Sequence, residues 1–485
     1  MTTETPAKST PSSTGIELNG LDTIAESERK GRPFTLFWPW FAANVSVLAI
    51  SYGSFVLGFG ISFWQATIVA IVGITISFLF CGFISLAGRR GSAPTMVLSR
   101  AAFGVNGNRL VSIISWLLTV GWETVLTVLS VLAISTVVGE LGGPKDNVAV
   151  KLISLIVIAA IIVLAGVYGF NLIIRLQVVI TIVTGVATIV FVILVAPKID
   201  LHAVMSMPAA GAGPVIGALV LLMTGFGLGW VNAAADYSRY LPRSASARGV
   251  IGWTTFGGAI APVVLVIFGL LLAGSSKGLS TAIGGDPIGA LIALLPAWFL
   301  IPFAIVAILG LIGGAVLDIY SSGLALLSAG LKVPRPVAAG IDGVIMVIGA
   351  IAVVFFAKDF VGPFEGFLIT LGVPIAAWAG IFLADILLRR KDYADKELYT
   401  STGRYGSVNW LAIALIVVGT AIGWGFVVST SAPWLAWQGY LLGSPKGDFY
   451  GAWAYANLGV LFALVIGFVG TLIGGRGRIK RQESH

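Results

Sequence analysis

GPVIGALVLLMTGFGLGWVNAAADYSRYLPR, residues 213–243, starts as an apolar run long enough to cross a bilayer and then breaks its own pattern. Gly225, Gly227 and Gly229 alternate with Phe226 and Leu228, and three glycines in five residues give a helix no reason to stay wound. Small residues also serve close helix packing in membranes, so packing competes with interruption as the reading of this run. Beyond it, Asp236 and Arg239 stand three residues apart and can pair at the mouth of the span, as a gate, a fold anchor or an ordinary helix-end ion pair.

The chain around this stretch is of one kind. Of its 485 residues 57% are apolar and 10% charged, with a mean hydropathy of +0.99, whereas a soluble domain carries roughly a quarter charged residues. Apolar runs bounded by charge, Pro or Gly predict twelve spans: 34–58, 62–87, 109–138, 151–169, 171–196, 213–235, 250–273, 297–330, 337–357, 364–388, 408–430 and 453–474. The fourth and fifth divide at Tyr168-Gly169-Phe170-Asn171, because together they exceed one crossing of a hydrocarbon core of ~30 Å. Hydrocarbon leaves no backbone group unpaired, so the runs are helices. The prediction is an all-α polytopic membrane protein with one transmembrane domain over 33–475. A largely disordered cytoplasmic tail, 1–32, precedes it and a short tail, 476–485, follows. The polar first thirty residues contain no cleavable signal peptide, and Cys81, the one cysteine, cannot form an intrachain disulfide.

With the N-terminus in the cytoplasm, 23 of the 29 Lys and Arg fall on the inner side and six on the outer. The positive-inside rule therefore predicts a cytoplasmic membrane protein with both termini inside. It also explains the net charge of +8 without a nucleic-acid partner; the partner implied is the lipid bilayer. Trp38, Trp40, Trp298, Trp434, Trp437 and Trp453, near span ends, read as interfacial anchors. The loop 431–452 is expected to lie on the membrane surface.

Function in such a bundle concentrates where helices are interrupted, because freed backbone groups and half-helix dipoles can face a cavity. Span 1 carries Asn44 and Ser46 at mid-span. Span 3 carries Ser115, Thr119, Glu123 and Thr127 at four-residue intervals on one face, with Trp122 beside them. Span 8 carries Asp318, with Ser321 and Ser322 three and four positions on. Serines and threonines often bond only to their own helix. A carboxylate at mid-membrane, costing at least ~2.5 kcal/mol, normally faces a cavity or a neighbouring helix. The sequence has no phosphate-binding loop and no Cys/His metal spacing; His202 and His485 lie outside the spans. No metal, cofactor or enzyme chemistry is predicted.

These interruptions resemble the nucleobase:cation symporter-1 family, on its purine–cytosine permease branch. The resemblance lies in Gly229-Trp230-Val231-Asn232-Ala233-Ala234-Ala235-Asp236-Tyr237-Ser238-Arg239-Tyr240-Leu241-Pro242, in Asp318-Ile319-Tyr320-Ser321-Ser322-Gly323-Leu324, and in the span-1 and span-3 stretches around Asn44 and Trp122. It implies a LeuT-like core of two inverted five-helix repeats, about 34–196 and 213–388, with extra helices 408–430 and 453–474. It also implies alternating access, with a solute stacked between rings of spans 3 and 6. On this basis Trp122 is the span-3 ring and Phe226 the span-6 ring, with Gly227 as the adjacent alternative and Trp230 beside them. Asp318 stands where the family commonly has Asn, and Thr119, Glu123, Asn44, Ser46 and Ser322 are the remaining polar groups expected around the solute.

The function expected is a symporter importing a purine- or cytosine-type nucleobase. Gly313 and Gly314 occupy positions where sodium-coupled members place hydroxyls, so a proton is favoured over sodium, with Asp318 and Glu123 as coupling groups. Another planar heterocycle (allantoin, a hydantoin, a vitamin precursor) is the alternative cargo. An uncoupled facilitator or channel is the alternative mechanism.

Overall fold

Each of the twelve expected spans carries a helix in the computed structural model, which describes residues 20–168, 170–357, 359–429, 433–443 and 453–484. Among these residues there is no strand. Among the described residues nine helices are long and apolar enough to cross a membrane, and two bent pairs raise the number to eleven. Span 11, Trp410–Gly425, is a shorter apolar helix.

Span 1 is broken. Pro33–Asn44 and Leu48–Leu57 meet at a bend of 63°, with Val45 out of helical geometry at ψ 64°. Span 6 is broken too. Ala212–Gly225 ends at Phe226, whose φ −120°, ψ −108° lies outside the helical region. The chain resumes as Gly227–Trp230, a 3-10 turn over Val231–Ala233, and Ala234–Ser238. The other core spans are Phe63–Gly91 (2), Asn108–Glu140 (3), Val148–Tyr168 (4), Phe170–Val195 (5), Ala247–Gly274 (7), Ala297–Ser328 (8), Arg335–Phe356 (9) and Val361–Leu388 (10).

The packing follows an internal symmetry. Span 8 lies along span 3 and span 7 along span 2, while span 1 packs on span 7 and span 6 on span 2. Each partnership joins a helix of the first five to one of the second five, as an inverted repeat requires. Spans 11 and 12 pack on each other and on span 10, outside this core. Spans 4, 5 and 9 turn large apolar side chains outward, among them Ile153, Ile189 and Ile348, the face that lipid covers.

Two expectations change. The segment 20–32 is not a disordered tail: Ile24 is buried and its N–H donates to the Ser92 carbonyl. Arg29 is buried as well, and its guanidinium bonds Glu26 and the Arg89 carbonyl. Apolar Leu21 and Ile24 supply contacts that a purely polar tail lacks; residues 1–19 and His485 lie outside the described residues. Trp40 is not an interfacial anchor. It is fully buried, edge-on to the rings of Trp230 and Tyr237. Trp298, Trp434, Trp437 and Trp453 are exposed. Of the loop expected on the membrane surface, 433–443 is described and folds back on span 11, with the Gly439 and Leu441 amides donating to the Trp424 and Gly425 carbonyls. Residues 430–432 and 444–452 lie outside the described residues.

Glycine contacts lock the core. A Cβ on Gly269 of span 7 would stand 1.9 Å from the Ile50 carbonyl oxygen of span 1. Overpacking of this kind typically costs ~1–3 kcal/mol, so Gly269→Val is expected to lower the melting temperature in detergent. Gly252→Ala, where nothing lies within 4 Å, should leave it unchanged. Equal melting of the two variants would contradict this packing.

Candidate functional site

The breaks in spans 1 and 6 face each other across a small cavity of about 50 Å³. Span 1 contributes Asn44, Ser46 and Tyr52, span 3 Trp122 and Leu126, span 6 Phe226 and Trp230, and span 8 Gly310, Gly314 and Asp318. Trp122, Phe226 and Asp318 are all buried.

Local sequence explains the placement. Phe226 enters the chamber because its helix stops one residue earlier. Gly225 is required there, since a Cβ would stand 2.3 Å from the Tyr52 hydroxyl; that hydroxyl donates to the Gly225 carbonyl at 3.4 Å. The Tyr52 ring lies 4.7 Å from that of Phe226. Gly229 makes room for Trp122, whose Nε1 would be 3.0 Å from a Cβ at that position. Phe364 and Phe367 of span 10 meet the Trp122 ring edge-on at 5.6 and 6.0 Å. The two aromatic walls are therefore held by rings of spans 1 and 10.

The polar groups divide. Asp318 lines the chamber with both carboxylate oxygens buried and without a protein donor. Asn44 lines it while its amide donates to the Trp40 carbonyl of its own helix at 2.8 Å. Ser46 Oγ accepts from the Leu48 amide, which starts the second half of span 1. The remaining candidates do not line it. Gly227 is pressed against span 2, where a Cβ would be 2.1 Å from the Ser77 backbone, and its amide donates to Ser77 Oγ at 3.1 Å. The Thr119 hydroxyl donates to the Ser115 and Trp116 carbonyls of its own helix. Glu123 is fully buried, and Ser322 donates to Asp342 Oδ2 at 2.8 Å. Spacing by four along a helix fixes the face but not its breadth, so neighbours of Trp122 and Asp318 fall to either side.

Asp236 and Arg239 do not pair with each other. Asp236 accepts from the Thr95 amide and hydroxyl at 2.7 and 2.8 Å. The Arg239 guanidinium donates to the Tyr320 and Tyr240 hydroxyls and the Gly20 carbonyl. Asp236 thus ties span 6 to the turn after span 2, and Arg239 ties it to span 8 and the N-terminal segment. Beyond them, Arg243 gathers Glu26, Asp392 and Asp395. Its guanidinium holds the Glu26 carboxyl below the usual range; burial pushes Asp395 up, against the pull of Arg243.

Several groups were not singled out from the sequence. Asp342 in span 9 accepts from Trp116 Nε1 at 2.6 Å as well as from Ser322. It is a carboxylate inside an apolar run, and the rule that marked Asp318 applies to it equally. Gln177 of span 5 donates to the Gly313 carbonyl at 2.6 Å. Thr181, Thr184 and Thr188 continue its buried face with hydroxyls that lack partners. Their spacing of four, three and four was readable as a helical stripe.

A chamber between two broken helices, inside two interlocked five-helix repeats, is the architecture of a secondary transporter of the LeuT-like class. The chain belongs to the family of permeases for cytosine/purines, uracil, thiamine and allantoin, which it matches over residues 23–443. It is 24% identical over 413 residues to the putative purine-cytosine permease YxlA of Bacillus subtilis (strain 168), covering 83% of this chain and 86% of that one. It is 25% identical over 429 residues to the hydantoin permease of Microbacterium maritypicum, covering 82% of each. Among solved structures it is similar to Mhp1, a nucleobase-cation-symport-1 family transporter, closed with bromovinylhydantoin bound. There the TM-score is 0.68 at 20% identity, over 97% of this chain and 99% of that one. The inward-facing conformation of Mhp1 gives a TM-score of 0.69 at 21% identity, over 97% and 98%. These likenesses establish the LeuT-like fold.

Trp122→Ala removes a ring that lines the chamber, where ring contacts are worth ~0.5–1.5 kcal/mol beyond burial, and Asp318→Ala removes its one carboxylate. Both variants are expected to insert normally and lose uptake of radiolabelled nucleobase. Thr119→Ala should transport as the wild type does. Loss of uptake in Thr119→Ala with normal uptake in Trp122→Ala would contradict this division.

Proposed function

We propose that the chain imports a purine- or cytosine-type nucleobase across the cytoplasmic membrane by alternating access, coupled to protons, with both termini inside. The observation that carries the reading is the unpartnered Asp318 carboxylate in a chamber walled by Trp122 and Phe226. A flat, uncharged heterocycle gains from π-faces and from a few convergent polar groups. An ionised carboxylate only accepts hydrogen bonds, so Asp318 selects a ring edge that presents N–H donors, as purines and amino-pyrimidines do. The putative purine-cytosine permease and a cytosine permease of Escherichia coli (strain K12) among the relatives support the same cargo.

A second cargo, a hydantoin, is favoured by the hydantoin permease among the relatives; its imide N–H also donates. A binding screen of nucleobases, hydantoins, ureides and pyrimidine vitamins against purified protein separates the two. Adenine or cytosine is expected to bind at least tenfold tighter than hydantoin, a difference of ~1.4 kcal/mol. The reverse order would replace the cargo. We assign the protein no catalytic step.

Proton coupling rests on what surrounds span 8. Gly313 and Gly314 bring no side-chain oxygen for sodium, and the Gly313 carbonyl already accepts from Gln177. Sodium is held by oxygen ligands, whereas a carboxyl binds a proton alone. In proteoliposomes an inward pH gradient should drive uptake and a sodium gradient should not. Sodium-driven uptake indifferent to pH would overturn the coupling. Counterflow exchange is expected as well, and its absence would point to a channel.

A further inference from the structure

We propose that the helix after span 12, Arg476–Ser484, docks the headgroup of an anionic phospholipid of the cytoplasmic leaflet on Arg476, Lys480 and Arg481. The proposal rests on the cytoplasmic placement of the C-terminus proposed above and adds a partner to it.

The helix is held in one orientation. It departs from span 12, Leu458–Gly474, at a bend of 56°, and Ile479 and Gln482 are buried. The Gln482 side chain accepts from the Arg389 guanidinium at 2.8 Å and donates to the Ala101 carbonyl at 3.1 Å. Glu483, the one acid of the helix, accepts from the Arg390 and Lys391 amides, both at 2.7 Å. Its carbonyl accepts from Lys391 Nζ at 2.6 Å, and the Arg478 guanidinium donates to the Tyr405 carbonyl. One side of the helix is thus tied to the segment between spans 10 and 11 and to the turn between spans 2 and 3.

The other side is cationic. Each residue advances an α-helix by ~100°, which sets Arg476, Lys480 and Arg481 within ~140° of one another and opposite Ile479 and Gln482. All three cations are exposed. None of the ion pairs among the described residues includes them. The acids on this side of the protein are engaged elsewhere: Asp385 by Arg389, Glu397 by the Arg404 amide, Asp392 by Arg90 and Arg243, and Asp395 by Arg243. Three cations on one fixed face, with no counter-charge from the protein, call for an anion from outside it.

Their position favours lipid as the source. Arg476 follows the last residue of span 12 by two positions, and Ile473, 78% exposed, is the last large apolar side chain of that span. Trp410, 75% exposed, opens span 11 beside it, where Leu411 lies 2.7 Å from the Cβ position of Gly474. An exposed tryptophan at the end of a span marks the headgroup level. The cations therefore stand where the phosphates of the inner leaflet lie, and that leaflet carries the anionic lipids. A guanidinium meets phosphate oxygens through paired N–H donors. A bound headgroup clamps the helix, and through it the segment whose Asp392 and Asp395 bond Arg243 beyond span 6.

Native mass spectrometry of the full-length protein, in micelles containing phosphatidylglycerol and phosphatidylcholine, reads the binding. The wild type should hold phosphatidylglycerol at least about tenfold tighter, since each cation near the surface is worth about fivefold toward an anionic lipid. Arg476→Gln/Lys480→Gln/Arg481→Gln should remove that preference. Lys332→Gln/Lys396→Gln, at exposed cations elsewhere, should keep it. An unchanged preference in the triple variant overturns the proposal, and so does displacement of the lipid by millimolar inorganic phosphate. Hydrogen exchange in liposomes reads the clamp through local opening. Residues 389–405 of the wild type should exchange at least about threefold more slowly in phosphatidylglycerol than in phosphatidylcholine, and the triple variant should show no difference. Equal exchange of the wild type in both lipids overturns the clamp. Lys480→Glu alone, expected to weaken binding about fivefold or more, decides should the triple variant fail to insert. A C-terminal tag labelled only from outside sealed vesicles sinks the orientation itself, whereas a tag inside with no lipid preference sinks only the lipid surface.

Discussion

A helix inside a bilayer satisfies its own backbone; where it stops, the freed amides and carbonyls must find partners within the protein or line a cavity that holds something polar. The chain stops two helices beside one cavity. Span 1 bends at Val45 and span 6 at Phe226, and the chamber lies between the bends. Trp122, Phe226, Trp230 and Asp318 line the cavity at that shared discontinuity.

The two breaks are tolerable because the rest is rigid. Spans 2 and 7, and spans 3 and 8, pair across the repeats, and glycines let their backbones nearly touch spans 1 and 6. Gly53 and Gly269 admit span 1 to span 7, while Gly227 admits span 6 to span 2. Span 8 separates two polar environments. Asp318 looks into the chamber without a donor, and one turn lower Ser322 and Asp342 form a satisfied pair with Trp116.

Much of this was legible in the residues. Hydropathy and the distribution of Lys and Arg give the spans, the glycine alternation gives the break at Phe226, and Asn44 with Ser46 gives the break in span 1. Trp122, Phe226, Trp230 and Asp318 meet where the spacing and the family resemblance place them. What failed did so for a reason. Thr119, Glu123 and Ser322 share a helical face with chamber residues, but a face of about 100° is wider than the cavity it adjoins. Gly227 was indistinguishable from its neighbours because a glycine that packs and a glycine that unwinds look alike in sequence. Asp342 was missed although it is an ionisable residue in an apolar run, because the motif that drew notice lay in span 8. Tyr52, Phe364 and Phe367 had no signal at all: a ring that braces another ring across the bundle is set by tertiary contact.

The central claim is that one chamber, formed by helices one, three, six and eight, receives a flat solute against Trp122 and Phe226 and in contact with Asp318. The most direct measurement is a cryo-electron microscopy map of the protein in lipid nanodiscs at saturating adenine. The account predicts planar density along those two rings, with a ring nitrogen at hydrogen-bonding distance from Asp318. Density bound elsewhere with the chamber left empty, or an Asp318 carboxylate turned away onto other protein donors, would contradict it.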